Sequence, residues 1–497
     1  SHKFMKNTEI KLKQHEVLPT RKQIDGLRNW IMLFPSPEEI DGIPYADSLL
    51  NRRSQLGRKK SDSDPLKFDL ANTKASHVVY ACIDVSISSF ALLTLARKMV
   101  TAQQSQKAES VGIVVKGFEI KLAERIVEAI IAAAGANAAG MPNYKSEKQS
   151  KTVLQQLNIY GLRVRHGYKR TLAEAEGNAL ARYLSMLPPN ELTPANYTKR
   201  IRKLASANKW KMEFYDNNAL QKKKAGAFLA VAQASPDKDA GIVRLMYTPK
   251  TYTSKGKVIL VGKGICYDTG GTNLKPAKHM FGMHEDMQGS SVALGTFLAL
   301  TKMQVNFRLE CWLALAINHI GPKAYKPNDI ITAADGTTIE IVHTDAEGRM
   351  VLADTLTLAS QQKPKLIIDY ATLTGACVYS LGSSYSGVFT NREEFHPALI
   401  QAGKDSGERV WPFPLDEDYE KGLESDIADV KQCAVEGDAD HILAARFLQR
   451  FVKNDTPWVH VDLAASNHKG GLAHVPTDTT GFGVRYTLNL LLDKKLP

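Results

Sequence analysis

Three short apolar runs constrain this chain more than anything else in it: Lys257–Val261 (KVILV), Leu309–Ile317, and Leu366–Tyr370 within KLIIDY. Each is apolar at nearly consecutive positions, the pattern of a strand covered on both faces. Between them Ser290–Thr301 and Met350–Ser360 repeat apolar residues at helical spacing, and Ile339–Val342 adds a further short run. Strands alternating with helices predict a largely parallel or mixed sheet with helices on both faces. Trp458–Leu463 (WVHVDL) reads as a late strand and Gly483–Leu492 as a closing helix.

The same alternation appears earlier on a smaller scale. His77–Ile83 and Val111–Val115 read as strands, Ser88–Thr101 and Leu122–Ala134 as helices, while residues 1–75 give little beyond an apolar strand at Trp30–Phe34. Glu174–Leu187 continues as helix until Pro188-Pro189-Asn190, where proline, lacking an amide hydrogen, ends the ladder. With 497 residues to place, two domains are expected. They are a smaller N-terminal α/β domain over 1–170, a connecting helix over 171–187, and a larger C-terminal α/β domain over 188–497 with a mixed central sheet covered by helices.

No apolar run approaches the ~20 residues that cross a bilayer, so no membrane span is expected. The first residues are polar and lack the apolar core of a secretory signal. Cys82, Cys266, Cys311, Cys377 and Cys433 are scattered and odd in number, without a CxxC pair. They suggest neither a disulfide framework nor a zinc ribbon, and the expected location is cytoplasmic. Cys266, two residues before Asp268, reads either as a small buried neighbour or as a ligand. The net charge is +12, and residues 1–187 carry 28 Lys and Arg against 18 Asp and Glu. The densest basic cluster is Arg52, Arg53, Arg58, Lys59 and Lys60. It reads either as a solvated loop or as a polyanion-binding surface, without the aromatic interleaving or recognition helix of a nucleic-acid reader.

Two charged loops carry the chemistry. In Lys263–Gln288, Lys263 follows the strand KVILV, Asp268 precedes the tight Gly270-Gly271 pair, and Lys275 and Asp286 follow, with Asp286 expected just before a helix over Met287–Leu300, its carboxylate projecting towards the site. In Thr338–Thr357, Asp345, Glu347 and Arg349 alternate after TIEIV, and period two on a strand points them to one side. Asp268, Asp286, Asp345 and Glu347 gathered in a dry pocket would repel one another unless cations neutralised them. Two divalent ions bridged by shared carboxylates meet that demand, and surface salt bridges at loop tips are the plainer alternative.

HTDAEGRMVLADTL (His343–Leu356) closely resembles the NTDAEGR signature of the leucyl aminopeptidase family, the cytosol aminopeptidases. VGKGICYDTGG (Val261–Gly271) with LKP and DM further on resembles the family's second metal-binding segment, and the likeness continues through DYATLTGA, SDIADVK and VHVDLAA. The resemblance spans most of 170–497 and is weak over 1–165. It implies a metallo-aminopeptidase with two divalent ions per subunit, zinc and/or manganese. Asp268 and Glu347 would bridge both ions, Asp345 would serve one, and Lys263 with Asp286 the other. It further implies attack by a bridging water, an oxyanion stabilised by Lys275, and a bicarbonate held by Arg349 as general base. Leu373 and Gly375 would line the peptide, Met283, Thr372 and Ala464 the first specificity pocket. Peptides beginning with leucine-like residues are the implied substrates, and a homohexamer the implied assembly.

The sequence departs from the family at His343, which replaces the usual Asn, at His284 and Glu285, and at Ala439–Ala445, where the family is Gly-rich. Two rival readings differ in class: a basic DNA- or polyanion-binding protein with a secondary hydrolase site, and a dinuclear phosphoesterase.

Overall fold

The computed structural model describes residues 9–147, 149, 152–252 and 256–497. The chain divides into two compact units, one of Ser1–Glu176 with Lys469–Asp478, the other of Gly177–His468 with Thr479–Pro497.

The first unit is built on a six-stranded sheet of β1 (Lys11–His15), β2 (Asn29–Phe34), β3 (Leu66–Asp69), β4 (His77–Cys82), β5 (Ser110–Val115) and β6 (Gln156–Tyr160), in the order β1-β6-β5-β2-β4-β3. All neighbours are parallel except the β3–β4 pair. The apolar run of β2 divides by parity, as a strand must. Ile31 and Leu33 join the core beneath helices Ser89–Gln104 and Ile120–Ala138, whereas Trp30, Met32 and Phe34 pack with Leu49 of helix Ala46–Gln55. The basic cluster is partly consumed here: Arg53 is buried and donates to Lys59 O at 2.6 Å, and Lys60 pairs with Glu38.

The second unit holds an eight-stranded mixed sheet. Its strands are β7 (Lys211–Tyr215), β8 (Gly241–Tyr247), β9 (Lys257–Asp268), β10 (Arg308–Asn318), β13 (Leu366–Ala371), β14 (Ser386–Thr390), β15 (Val410–Pro412) and β17 (Trp458–Asp462). A small three-stranded sheet is formed by β11 (Ile330–Thr332), β12 (Thr338–Glu340) and β16 (Val430–Lys431). The large sheet runs β15-β14-β17-β13-β9-β10-β8-β7, and its centre, β17-β13-β9-β10, is parallel. From β9 the chain passes through helix Gln288–Lys302 to β10 on one side, whereas β13 is followed by β14, which lies on the other. The crevice at the carboxyl ends of β9 and β13 is therefore a switch point, where such sheets place ligands.

Two helices with almost every residue buried flank that crevice, Gln288–Lys302 and Glu347–Ser360. Several of their hydroxyls survive burial by bonding back to the preceding turn, as Thr355 Oγ1 does to Val351 O at 2.8 Å and Ser360 Oγ to Leu356 O at 2.7 Å. Against Gln288–Lys302 the seam is made by glycine. A Cβ on Gly262 would lie 2.5 Å from Ser290 Cα, and one on Gly289 would lie 2.2 Å from Tyr370 O. On the other face Ile259, Val261 and Ile265 share a core with Val351 and Leu352 of the second helix, so parity turns Lys263 towards that helix.

Candidate active site

Lys263 projects from β9, and its ammonium lies 2.8 Å from Asp286 Oδ1, 3.0 Å from Thr372 O and 3.2 Å from Glu347 Oε1. Glu347 opens helix Glu347–Ser360, with Gly348 beside the lysine; a Cβ there would lie 2.7 Å from Lys263 Cε. Asp286 follows the single turn Met283–Glu285 and precedes the helix Gln288–Lys302, its carbonyl accepting from Ile265 N at 3.2 Å. Asp286 thus stands just before the helix, where the sequence places it. Asp268 ends β9, where Oδ1 accepts from Gly270 N and Asn318 Nδ2, both at 2.9 Å. Gly270 and Gly271, at φ 90° and 73°, make the turn that follows. Lys275 then reaches back to Asp345 Oδ2 at 2.9 Å and Asp268 Oδ2 at 3.6 Å.

The alternation expected of Asp345, Glu347 and Arg349 is not that of a strand. β12 ends at Glu340, Asp345 sits in a turn, and Glu347 and Arg349 belong to the first turn of a helix. Glu347 nonetheless meets Asp268 and Asp286: one carboxylate oxygen from each of the three lies within 4.8 Å of the others. Asp345 joins them through Lys275. Arg349 instead turns to Asp440, its Nη2 lying 3.1 Å from both carboxylate oxygens, with Nη1 donating to Gln432 O at 3.3 Å.

Four carboxylates face two ammonium groups in this site, and the balance shows in their protonation. Burial raises Asp286 to about 6, with Lys263 opposing and Asp268 adding to the rise. Burial and then Asp268 raise Asp345 to about 7 against the pull of Lys275. Burial followed by Asp268 carries Glu347 well above the carboxylate range. Asp268 alone stays below its usual value, because Lys263 and Lys275 outweigh its burial. Burial would discharge Lys263, yet Asp286, Glu347 and Asp268 hold it protonated. Asp286 Oδ2 and Asp345 Oδ1 are buried without a hydrogen-bond partner, and Glu347 Oε1 faces the Lys263 ammonium 3.2 Å away. Acceptors left open in a dry, acid-rich pocket fit cationic ligands, since unpaired buried acceptors are otherwise costly.

The cleft above has a volume of about 780 Å³ and is lined by Lys263, Asp268, Lys275, Met283, Asp286, Asp345, Arg349, Thr372, Leu373, Gly375 and Ala464, with Glu347 buried behind them. Every residue that the resemblance assigns to metal, catalysis or substrate is therefore in the cleft or, for Glu347, buried behind its wall. Cys266 packs away, its thiol facing Gly264 O at 3.7 Å and burial keeping it protonated. His343 accepts the Asp345 amide on Nδ1 at 3.2 Å, an acceptor role that the oxygen of an Asn could fill. Glu285 accepts from Asn467 Nδ2 at 2.7 Å at the cleft wall.

The supporting residues were missed by sequence reasoning because they are uncharged or distant in the chain. Asn318 Nδ2 reaches Asp268 and, at 3.3 Å, Glu347 Oε2, keeping two carboxylates side by side. Thr344 joins the two loops, its Oγ1 donating to Gly270 O at 2.6 Å and accepting from Asn273 N at 2.8 Å. Asp462 Oδ1 accepts from Leu373 N at 3.1 Å and its Oδ2 from Thr374 Oγ1 at 2.7 Å, fixing the loop after β13. An acidic residue at the end of an apolar strand, as in WVHVD, was the available signal for Asp462.

The model of the cytosol aminopeptidase family's catalytic domain matches residues 179–488, more than half of the chain. The chain belongs to the cytosol aminopeptidase family. This aminopeptidase is 39% identical over 361 residues to a probable cytosol aminopeptidase of Wolbachia pipientis wMel, covering 71% of each chain. It is 34% identical over 393 residues to one of Persephonella marina, covering 77% of this chain and 76% of the relative. Among solved structures, a mutant of tomato leucine aminopeptidase superposes with a TM-score of 0.85 at 26% identity, covering 97% of this chain and 96% of that one. The bottromycin maturation enzyme BotP, in complex with Mn, gives 0.82 at 28% identity over 94% and 99%. The aminopeptidase is thus a metallo-exopeptidase with a smaller α/β unit and a larger catalytic one built on the eight-stranded sheet. No described helix is long and apolar enough to cross a membrane.

Proposed function

We propose that this aminopeptidase releases N-terminal residues, preferably leucine-like, from peptides with the help of two divalent ions, zinc or manganese. The observation that carries the reading is the buried gathering of Asp268, Asp286 and Glu347, with unpartnered carboxylate oxygens on Asp286 and on the neighbouring Asp345. Asp268 and Glu347 would be shared by both ions, Asp345 would serve one, and Lys263 with Asp286 the other. When bound, such a pair supplies Lewis acidity and an acidified water. Lys263 would serve as a ligand only as the free amine, a form that neighbouring dications favour and the bare carboxylates oppose.

The remaining residues act on the peptide. Lys275, half-buried at the cleft wall, places a cation where negative charge develops on the carbonyl oxygen. The Thr372–Gly375 loop, braced by Asp462, presents main chain to the peptide backbone, and Met283 and Ala464 give the first side-chain pocket an apolar wall. Bicarbonate, homohexameric assembly and a cytoplasmic location are the further expectations of the resemblance.

The test is leucine anilide hydrolysis after chelation and after stepwise return of zinc, manganese or cobalt, with metal content measured alongside. Activity should vanish on chelation and return as the second ion per chain binds. An N-acetylated substrate should be refused, and leucine anilide should outrun its glycine and lysine counterparts. Full activity at one ion per chain would overturn the two-ion reading, and rapid turnover of a phosphate ester in place of the anilide would favour the phosphoesterase.

A further inference from the structure

Lys263 and Asp268 stand at an odd separation on β9, which in a regular strand would turn them to opposite faces of the sheet. They serve one site because the register of β9 against β10 slips between them. Ala316 pairs with Ile265, and Asn318, two residues on, pairs with Asp268, three residues on. β9 therefore carries one extra residue, a bulge of the rare parallel kind, and bulges re-aim side chains beside active sites. The extra residue brings Asp268 round to meet Asp286 and Glu347, and it sets Asp268 directly opposite Asn318.

Asn318 is the last residue of β10 and only 1% exposed. Its Nδ2 lies 2.9 Å from Asp268 Oδ1, 3.0 Å from Thr344 O and 3.3 Å from Glu347 Oε2. Three acceptors around one nitrogen settle which end of the amide faces the site, and its two hydrogens must serve all three. The main chain is held independently, because Asn318 O accepts from Thr269 N at 3.0 Å and from Thr269 Oγ1 at 2.7 Å. The other oxygens of the two carboxylates face ammonium groups, Asp268 Oδ2 at 3.6 Å from Lys275 and Glu347 Oε1 at 3.2 Å from Lys263. An uncharged donor suits this position. It draws two carboxylates together without repelling the dications they would share, whereas lysine or arginine would add a competing positive charge and aspartate a further repulsion.

We propose that Asn318 is the positioning residue of the metal pair: by holding Asp268 and Glu347 from one nitrogen, it fixes the spacing of the two ions. It rests on the two-ion reading above, in which those two carboxylates are the shared ones. The rival role, that Asn318 merely braces Thr344, is separable in this fold. Tyr325, buried nearby, donates its hydroxyl to the same Thr344 O at 2.9 Å. Tyr325→Phe therefore loosens Thr344 and leaves the hydrogen bonds of Asn318 to both carboxylates in place.

The test loads metal-free wild type, Asn318→Leu, Asn318→Ala and Tyr325→Phe with manganese. Affinity is measured by titration calorimetry, the spacing of the ions by electron paramagnetic resonance, and folding by melting temperature. Turnover of leucine anilide gives kcat and KM. Wild type should take two manganese ions per chain and show the spectrum of a spin-coupled pair. Asn318→Leu, which keeps the volume and loses the donor, should bind manganese ~10–100-fold more weakly, the usual cost of losing a group that orients a metal ligand. Its coupling should be weakened or lost, and kcat should fall with little change in KM. Asn318→Ala should behave alike and serves if the leucine variant fails to fold. Tyr325→Phe should keep the coupling of wild type. A folded Asn318→Leu or Asn318→Ala enzyme with the affinity and coupling of wild type would overturn the proposal, as would a Tyr325→Phe enzyme that loses them equally. Failure of the two-ion reading is distinct, because wild type itself would then hold a single ion or show only isolated ones.

Discussion

Gly348 offers a sharp test of how the site is assembled, because the expected loss comes from one methyl group on a residue that touches no substrate. In the substitution Gly348→Ala the new Cβ would lie 2.7 Å from Lys263 Cε, 2.8 Å from its Nζ and 2.9 Å from Leu373 Cδ1. Carbon atoms are comfortable at roughly 3.5–4.0 Å, so the lysine must retreat by about 1 Å. Its ammonium is held by Asp286, Thr372 and Glu347 at 2.8, 3.0 and 3.2 Å, so retreat lengthens all three contacts together. The helix itself should tolerate the change, since alanine is better than glycine by up to about 1 kcal/mol in a helix interior and by less in the first turn, where Gly348 lies. Stability and function should therefore separate. The variant should melt within a few degrees of wild type, bind metal more weakly, and lose ~10²-fold in kcat/KM, the scale on which a misplacement of about 1 Å acts. Calorimetry, elemental analysis and leucine anilide kinetics on one preparation would decide it. A folded Gly348→Ala enzyme with normal metal affinity and turnover would refute the argument that this glycine exists to admit Lys263.

Lys263→Arg keeps the charge but not the ability to become a neutral ligand, so elemental analysis should show the loss of the ion assigned to Lys263 and Asp286; normal content would sink that assignment. The stability of the metal-free protein should depend on pH through Asp286 and Asp345. Their folded values, about 6 and about 7, lie above the usual 3.8, so their stabilising protons are fully present below about pH 4 and lost as pH rises to 7. Metal competes with those protons, and the rise in melting temperature on adding zinc or manganese should grow across pH 5–8; a shift independent of pH would count against the raised carboxylates. Ala439→Gly should relieve the φ of 61° and, after the entropy of glycine is subtracted, raise the melting temperature by up to ~2 °C. A fall in melting temperature would show that no strain is stored there.

The parts of this fold that could be read from sequence are those in which a single residue type repeats. KVILV, the run Leu309–Ile317 and LIID are apolar on both faces because helices cover both, and they fall within β9, β10 and β13. β1, by contrast, is KLKQH, mostly exposed or half-buried along its length, and a polar edge strand has no apolar period to detect. The charged residues of the site announced themselves through an unusual concentration of acid and base, sharpened by the family resemblance. Asn318 and Thr344 did not, because neutral polar residues are common everywhere and their partners lie up to 74 positions away. Asp345, Glu347 and Arg349 show the opposite case, in which a two-residue spacing suggested a strand while the chain was entering a helix. Two of the three side chains reached the acidic cluster, and Arg349 went to Asp440, a pairing that charge alone could not foretell across 91 positions.

The glycine seam beneath the site also bears on how such an enzyme can diversify. Gly262 against Ser290 and Gly289 against Tyr370 set the spacing of strand and helix by main chain rather than by side chains, so no gradual series of substitutions can adjust it. The segment from Cys433 to Asp440 lines the same cleft and is largely exposed at Val435, Glu436, Gly437 and Asp438. Substitutions at 435, 436 and 438 can therefore reshape the rim without disturbing the seam, and a library for altered specificity can begin there. The seam acts as a fixed datum: the chemistry is kept in register while the rim lies open to solvent.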